Sequence, residues 1–222
     1  FQQSTNGTTA TLYQSSGITI SANTWYHIAM TKSSTTVTYY LNGAASGTST
    51  VAATTFSSTG SLSIGANPIG ASPTFPGSIT NARLVKGSVV YTANFTTSSI
   101  PFEAITNTSL LLKVSTSATA TTDSSSNQFT VTNNNNVLFN YQSPFNNAPC
   151  GSILFNGSTQ YLSNFTNNAA LAMGSGDFTI EFWYCPTSKP TNYPTIWSLG
   201  GTYNITTYLG IIDRHDSSPT VF

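Results

Sequence analysis

Charged side chains are scarce in this sequence, and their scarcity excludes one class of partner. Asp, Glu, Lys and Arg make up 5% of the 222 residues, against roughly 25% in an ordinary soluble protein. The six Lys and Arg residues are scattered along the chain and balance six acidic residues, so the net charge is zero. A nucleic-acid-binding protein needs a basic stripe that displaces counterions from phosphates. The sequence therefore predicts no nucleic-acid partner.

Long apolar runs, helical periodicity and cysteines are also absent or few. No apolar run approaches the roughly 18 residues that a membrane-spanning helix needs, so no membrane insertion is expected. No window places apolar residues at helical spacing between caps, which predicts very little helix. Cys150 and Cys185 are too few for a disulfide framework, and free thiols are favoured. The chain begins without Met, which suggests a piece of a longer polypeptide.

What the sequence does contain is typical of β-structure. Thr, Val, Tyr and Phe favour strands, and Asn, Gly and Ser favour the turns between them. Residues 24–43 predict a hairpin with strands at Trp25–Thr31 and Thr36–Leu41, and residues 151–165 predict a second hairpin that turns at Asn156. Strands at this spacing indicate an all-β, antiparallel sandwich.

One stretch lacks strand alternation although it carries several aromatic residues. Residues 88–105 are predicted to form an irregular segment that wraps over the domain. Tyr91, Phe95 and Phe102 are expected to pin it in place.

Two sets of motifs resemble a known family. The first set consists of ANTWYHIAM at residues 22–30 and GSITNARLVKG at residues 77–87. The second consists of GSILFNGSTQYLS at residues 151–163 and GSGDFTIEFWYCP at residues 174–186. In order and spacing, the first set resembles the second half of a concanavalin A-like, laminin-G-type jelly-roll domain. The second set resembles the first half of the same domain.

This resemblance implies an antiparallel jelly-roll β-sandwich and a boundary near residue 107. Residues 1–106 would be the C-terminal half of one laminin-G-like sandwich, and residues 107–222 the N-terminal half of the next. The two halves would then form two lobes with few mutual contacts. A permuted single domain stays open as the alternative. It would pair Trp25–Leu41 directly into the sheet that contains Asp177–Cys185.

The stretch from Gly87 to Leu112 resembles tandem repeats in virion fibre and appendage proteins of marine bacteriophages. The resemblance implies a non-enzymatic structural component on a virion surface or in an extracellular setting. Its partners would be other copies or repeats, virion proteins and cell-surface polysaccharide. The alternative function is a carbohydrate-binding adhesion module of a bacterial or other extracellular surface protein.

Asp177 and Glu181 lie four residues apart and raise the question of acid–base catalysis. Glycoside hydrolases hold two carboxyl groups about 5 to 9.5 Å apart. On a strand, a four-residue spacing separates two side chains by about 13 Å. Retaining enzymes of the family that the motifs resemble use a Glu-x-Asp-x-x-Glu strand, which this stretch does not match. We therefore predict two strand residues and no enzyme activity. His27 resembles the family's structural histidine and is predicted to be a hydrogen-bonded sheet residue.

Candidate ligand-binding residues are aromatic. Sugar sites combine aromatic platforms with Asn, Asp and backbone donors, and the predicted carbohydrate-binding residues are Trp197, Tyr203 and Tyr208. Tyr39 and Tyr40 belong to the same class. Each of these residues would serve equally well in a core or an interface.

A second candidate site is acidic. Asp213 and Asp216 could offer oxygen atoms to Ca²⁺, which takes about six to eight oxygen ligands. A solvated hairpin turn explains the same residues, so Ca²⁺ stays an open alternative. No other cofactor is expected.

Overall fold

The chain forms fifteen β-strands and one short 3-10 helix (Ser117–Thr119) in the residues that the structure describes. The computed structural model describes residues 1–15, 18–56, 61–66, 74–146, 150–165, 169–188, 194–200 and 209–212. The strands are β1 (Gln2–Ser4), β2 (Ala10–Leu12), β3 (Tyr26–Ser33), β4 (Thr36–Leu41), β5 (Ala44–Thr50), β6 (Leu62–Ile64), β7 (Pro76–Lys86), β8 (Thr108–Leu112), β9 (Thr132–Asn134), β10 (Leu138–Asn140), β11 (Ser152–Asn156), β12 (Tyr161–Phe165), β13 (Phe178–Pro186), β14 (Thr195–Leu199) and β15 (Leu209–Ile212). No helix in these ranges has the length and apolarity needed to cross a membrane.

The strands form two sheets that pack face to face. The front sheet has the order β10-β11-β7-β13-β3-β4-β5, and β8 pairs with the C-terminal end of β7. The back sheet has the order β2-β1-β15-β14-β6-β12-β9. All pairs of these strands are antiparallel. The predicted all-β, concanavalin A-like jelly-roll sandwich is confirmed.

Strands from residues 1–106 and residues 107–222 alternate within both sheets. In the front sheet, β13 lies between β3 and β7, and its register with β3 runs from Phe178 opposite Lys32 to Tyr184 opposite Tyr26. The expectation of two lobes with few contacts is therefore wrong for this chain. Neither half can bury its apolar faces alone, so each completes its sandwich with the other. This direct pairing is the one that the permuted single domain predicts, and the assignment of the halves to successive repeats of a longer polypeptide stays a prediction.

Strand alternation decides which side chains enter the core. On β13 the inward residues are Phe178, Ile180, Phe182 and Tyr184. The outward residues are Thr179, Glu181, Trp183 and Cys185. Burying each large apolar side chain contributes roughly 1.5 to 3 kcal/mol, so this periodicity of two fixes the register of the central strand.

The back sheet approaches the front sheet closely at Gly65. This residue has φ +89°, and a Cβ atom there would lie 2.5 Å from the ring of Phe155. Glycine is required for both reasons, since the left-handed backbone and the close ring each disfavour a side chain. Trp197 of β14 is fully buried in the same core.

The two predicted hairpins have different outcomes. Residues 24–43 do form the hairpin of β3 and β4. Residues 151–165 do not, because β11 pairs with β7 in the front sheet while β12 pairs with β6 and β9 in the back sheet. The Asn156 carboxamide oxygen accepts hydrogen bonds from the backbone N–H groups of Ser158, Thr159 and Gln160. This compact loop carries the chain from one sheet to the other.

A β-bulge in β7 sets the direction of the side chains after it. The register with β13 shifts between Glu181, opposite Arg83, and Trp183, opposite Thr80. Asn81 lies within this shift, with φ +51°. The extra residue turns Arg83 toward the outer face of the front sheet, where Glu181 also lies.

An irregular segment covers the middle of that outer face, as predicted. We call residues 88–105 the cover segment. The N–H of Val90 donates to Thr179 on β13, and the N–H of Phe95 donates to the carbonyl of Gly43 beyond β4. The segment then returns to β7, where the N–H of Phe102 donates to the Asn81 side chain. The bulge residue thus anchors the cover.

Candidate functional site on the outer face of the front sheet

Next to the cover segment the outer face is open and forms a groove. Its volume is about 640 Å³, which falls within the roughly 300 to 1,000 Å³ typical of ligand sites. The floor of the groove consists of Leu154 on β11, Ser78 on β7 and Cys185 on β13. Ser78 pairs directly with the other two in the sheet register. Three neighbouring strands therefore build the floor.

Loops at either side of these strands form the walls. Asn23 and Trp25 precede β3 on one side. Trp25 is partly buried and packs against the aromatic cluster that includes Trp183. On the other side, Tyr141 follows β10 and is 87% exposed. The groove therefore has an aromatic ring on each wall.

The ring of Tyr141 is supported although it is exposed. It lies edge-to-face against Phe139, with ring centroids 4.9 Å apart and an interplanar angle of 85°. The residue after it, Gln142, donates its backbone N–H to the side chain of Asn140 at 3.1 Å. These contacts hold an aromatic surface and two amide side chains at the same edge of the groove.

The groove is polar without being charged. Its remaining described residues carry amide or hydroxyl groups: Asn23, Ser78, Asn140, Gln142, Ser143 and Thr187. None of the described residues that line it is acidic or basic. Burial raises the pKa of the Cys185 thiol, so this group is also neutral near pH 7. The described surface can offer hydrogen bonds and ring faces but no ion pair.

The covered part of the outer face has the opposite character, because it holds a buried carboxylate. Oε1 of Glu181 accepts from Nε and Nη2 of Arg83 at 2.8 and 2.6 Å. Oε2 accepts from the Tyr91 hydroxyl at 2.8 Å and contacts Nε2 of His27 at 3.2 Å. Glu181 is 0% exposed and His27 is 1% exposed. We call these four residues the Glu181 cluster.

The partners keep Glu181 ionised in spite of its burial. Burial alone would raise the pKa of this carboxyl group. The hydrogen bond from His27, the positive charge of Arg83 and the hydrogen bond from Tyr91 outweigh burial and lower its pKa below the usual value. In turn, burial and the charge of Glu181 raise the pKa of Tyr91. The phenol therefore remains a donor.

The histidine tautomer follows from its surroundings. Nδ1 of His27 is buried and has no hydrogen-bond partner among the described residues. A proton on Nδ1 would leave a buried donor unpaired. We therefore place a proton on Nε2, from which it is donated to Glu181. The prediction of a hydrogen-bonded sheet histidine is confirmed.

Four donors surround Glu181, and a carboxylate has about four lone-pair sites. No site on its oxygens is left for a substrate or an attacking water. Asp177 does not join the cluster, because its carboxylate accepts from the backbone N–H of Ser34 at 2.7 Å. The structure therefore shows Glu181 saturated by its partners and Asp177 engaged at a loop.

The predicted site residues are not brought together. Trp197 was predicted to be a sugar platform and is fully buried in the core, so its selection was wrong. Tyr39 and Tyr40 are 5% and 3% exposed and face the core and the cover segment, respectively. Tyr203 and Tyr208 lie outside the described residues.

The predicted metal ligands Asp213 and Asp216 also lie outside the described residues. Within the described ranges, no group of three or more His, Cys, Asp or Glu side chains could hold a metal ion. The buried Asp123 accepts four hydrogen bonds, from the backbone N–H groups of Leu111, Ser125 and Phe129 and from the Ser125 hydroxyl. It acts as the centre of a loop.

Sequence reasoning missed Trp25 and Tyr141. Trp25 directly precedes β3 and Tyr141 directly follows β10, and each has Asn or Gln within two positions in the sequence. An aromatic residue beside amides at the end of a sheet strand was the available signal.

Comparison with known proteins supports the fold. Residues 1–92 match the laminin G family model of the concanavalin A-like lectin/glucanases superfamily. This stretch includes β1–β7 and ends inside the cover segment. Neither the curated proteins nor the solved structures yield a match. The resemblance of residues 107–222 to the same domain stays a prediction. The family match over residues 1–92 and the two antiparallel sheets agree on a laminin-G-like, concanavalin A-like sandwich.

Proposed function

We propose that this chain is a non-enzymatic, carbohydrate-binding adhesion module and that the open groove holds its glycan. The observation that carries the proposal is the uncharged groove of about 640 Å³ with Trp25 and Tyr141 on its walls. The laminin-G-like match over residues 1–92 is compatible with such a module.

The chemistry of the groove suits a sugar. An aromatic ring provides a flat apolar surface for the C–H face of a pyranose ring, and it loses little conformational entropy on binding. Amide side chains such as Asn23 and Gln142 donate and accept hydrogen bonds, as sugar hydroxyl groups do. A groove with both features can contact the C–H face and the hydroxyl groups of a carbohydrate at the same time.

The absence of enzyme activity is part of the proposal. Its support is the saturation of Glu181 by Arg83, Tyr91 and His27, beneath the cover segment. A general acid or base must lie within hydrogen-bond reach of the reacting group. The covered carboxylate does not meet this condition.

Glycan-array binding by the purified chain tests the proposal. We expect specific binding that Trp25→Ala and Tyr141→Ala each weaken. Tyr161→Ala in the back sheet should leave it unchanged, because Tyr161 is a partly exposed aromatic residue away from the groove. The absence of binding to any glycan, or equal loss in all three variants, would reject the groove as a sugar site.

A narrower proposal places the module in a virion fibre or appendage, where it would contact further copies, virion proteins and cell-surface polysaccharide. Its support is the resemblance of the Gly87–Leu112 stretch to phage fibre repeats. That stretch includes the cover segment, which packs on the front sheet, and β8, which pairs with β7. Electron microscopy of the full-length protein tests this proposal. Fibres or virion-bound particles are expected, and a monodisperse monomer from a cellular organism would contradict it.

A further inference from the structure

We infer that the groove binds an uncharged oligosaccharide of several rings, laid across the strands, without a metal ion. This inference rests on the proposed function, because it names the glycan class for the same groove. Three features of the groove carry it: its lack of charge, its length across the sheet, and the positions of its two aromatic rings.

The charge of the groove argues against acidic glycans. The described lining contains amides, hydroxyls, a neutral thiol, a leucine and two aromatic rings. A uronate or sulfate would lose its hydration there without a cationic partner, which is costly. Arg83 lies on the same face but is only 6% exposed, and its charge is paired with Glu181 while its Nη1 donates to the carbonyl of Glu103. No free cation of the described groove is therefore available to an anionic sugar.

The same lack of charge argues against a metal-dependent site. Ca²⁺ prefers carboxylate ligands among its oxygen donors, and the described lining has no carboxylate. A sugar in this groove would instead contact Asn23, Gln142 and Thr187 through its hydroxyl groups. Chelators should leave such binding intact.

The dimensions favour an oligosaccharide over a monosaccharide. One wall follows β10 and the other precedes β3, and the strand order between them is β10-β11-β7-β13-β3. Four strand spacings of about 4.8 Å give a span of about 19 Å. Tyr141 and Trp25 lie on opposite walls of this span, so one pyranose ring cannot stack on both. A chain of several rings can contact both.

Titration calorimetry with chosen probes tests the inference. The neutral probes are cello-, manno- and galacto-oligosaccharides of one to six rings. The anionic probes are oligogalacturonate and sulfated galactan oligosaccharides. We expect a neutral series to bind, with an affinity that rises at least about tenfold from one ring to four or more. EDTA, or salt raised from about 50 to about 500 mM, should change that affinity less than twofold, since no ion pair is screened.

Variants connect this result to the groove. Tyr141→Ala and Trp25→Ala should each reduce the affinity for the long neutral probe about tenfold. A single ring can stack on only one of these two residues, so one of the two variants should change its affinity less. Lys189 lies outside the described residues but only two positions after Thr187 in the sequence. Lys189→Gln should not change the binding of the neutral probe.

The outcomes separate this inference from the proposed function. Binding of the anionic probes alone, or binding that depends on salt, on Lys189 or on EDTA, would overturn the inference while leaving the carbohydrate-binding module intact. An affinity that does not depend on the number of rings would overturn the length argument. The absence of binding to either class of probe would overturn the proposed function itself.

Discussion

The two parts of the outer face of the front sheet differ in charge and in cover, although the same strands build both. Under the cover segment, β13 contributes Glu181 and β7 contributes Arg83 to a closed ion pair. Farther along the same two strands, Cys185 and Ser78 form the floor of an open, uncharged groove. One central strand therefore carries a sealed polar cluster and a ligand-accessible surface within five residues.

The comparison shows that the charged side chains of the Glu181 cluster lie where solvent is excluded, whereas the side chains that a ligand can reach in the groove are neutral. A buried ion pair costs several kcal/mol in lost hydration, and only good geometry and further hydrogen bonds offset that cost. The cover segment provides both, because Tyr91 contributes its hydroxyl to Glu181 and Phe102 lies 4.8 Å from the Arg83 guanidinium. Where no cover exists, the sheet presents neutral groups that tolerate water and a ligand alike.

Removal of the buried charge should have the largest effect on stability. Glu181→Gln leaves the Arg83 guanidinium buried without a counter-charge, so the free energy of unfolding should fall by about 3 to 5 kcal/mol. Urea denaturation of the two proteins measures the change. The matched control is Glu103→Gln, since Glu103 is 72% exposed in its ion pair with Lys113.

That control should change the free energy of unfolding by less than about 1 kcal/mol, as exposed ion pairs do. Similar losses in both variants would contradict the role assigned to the cluster. The parent should hydrolyse no β-glucan or galactan, and turnover that Glu181→Gln abolishes would make Glu181 catalytic.

Detachment of the cover segment should have the next largest effect. Gly43 has φ +81°, and a Cβ atom there would lie 2.0 Å from the carbonyl oxygen of Phe95 in the cover segment. Gly43→Ala should therefore cost about 2 to 3 kcal/mol of unfolding free energy and speed proteolysis within residues 88–105.

Gly174→Ala is the matched control for this substitution. Gly174 also has a left-handed backbone, at φ +55°, but an added Cβ atom would meet nothing within 4 Å. It should show only the roughly 1 kcal/mol cost of left-handed strain. Equal effects at both positions would mean that contact with the cover segment contributes nothing.

The fold was largely predictable because its signals are local and periodic. The alternation at residues 36–41 and 178–185 identifies the core faces of β4 and β13 correctly. The error at residues 151–165 has a physical cause, since Asn156-Gly157 indicates a reversal but not the sheet that the chain enters next. Ile153 and Leu162 are both buried, and an apolar residue in a strand does not indicate which of the two sheets that strand joins.

The site was much less predictable, because exposure depends on pairing between residues far apart in the sequence. From the sequence alone Trp197 is as good a candidate for a sugar platform, yet β14 lies between β6 and β15 and the Trp197 side chain is buried in the core between the two sheets. Trp25 and Tyr141 are 116 positions apart and share a groove only because β3 and β10 join one sheet. Likewise, the pairing of Glu181 with Arg83 requires the bulge at Asn81.

Acid should weaken the covered part and spare the open part. The folded-state pKa of Glu181 is lowered, so its contribution to stability is complete above the unfolded value of about 4.3 and is lost as pH falls through the folded value. Between about pH 6 and pH 3, the parent should therefore lose more unfolding free energy than Glu181→Gln. Urea denaturation across this range measures both slopes. Parallel slopes in the two proteins would mean that folding does not lower the pKa of Glu181.

The smallest expected effect is on the rate at which the two thiols are labelled, one in the groove and one outside it. Burial raises the pKa of both Cys150 and Cys185, so iodoacetamide should label each more slowly than a free cysteine near pH 7.5. Only Cys185 lies in the groove floor. A saturating neutral oligosaccharide should slow its labelling several-fold in the Cys150→Ser variant.

Cys150 serves as the internal reference for that measurement, in the Cys185→Ser variant. A ligand also stabilises the folded state as a whole, and if labelling required global unfolding it would slow both thiols by the same factor. A sugar bound directly over the thiol slows the labelling of Cys185 alone, because Cys150 is partly exposed and lies outside the groove lining. Equal protection of the two thiols would therefore place the glycan elsewhere, whereas selective protection of Cys185 would locate it over the floor formed by Leu154, Ser78 and Cys185.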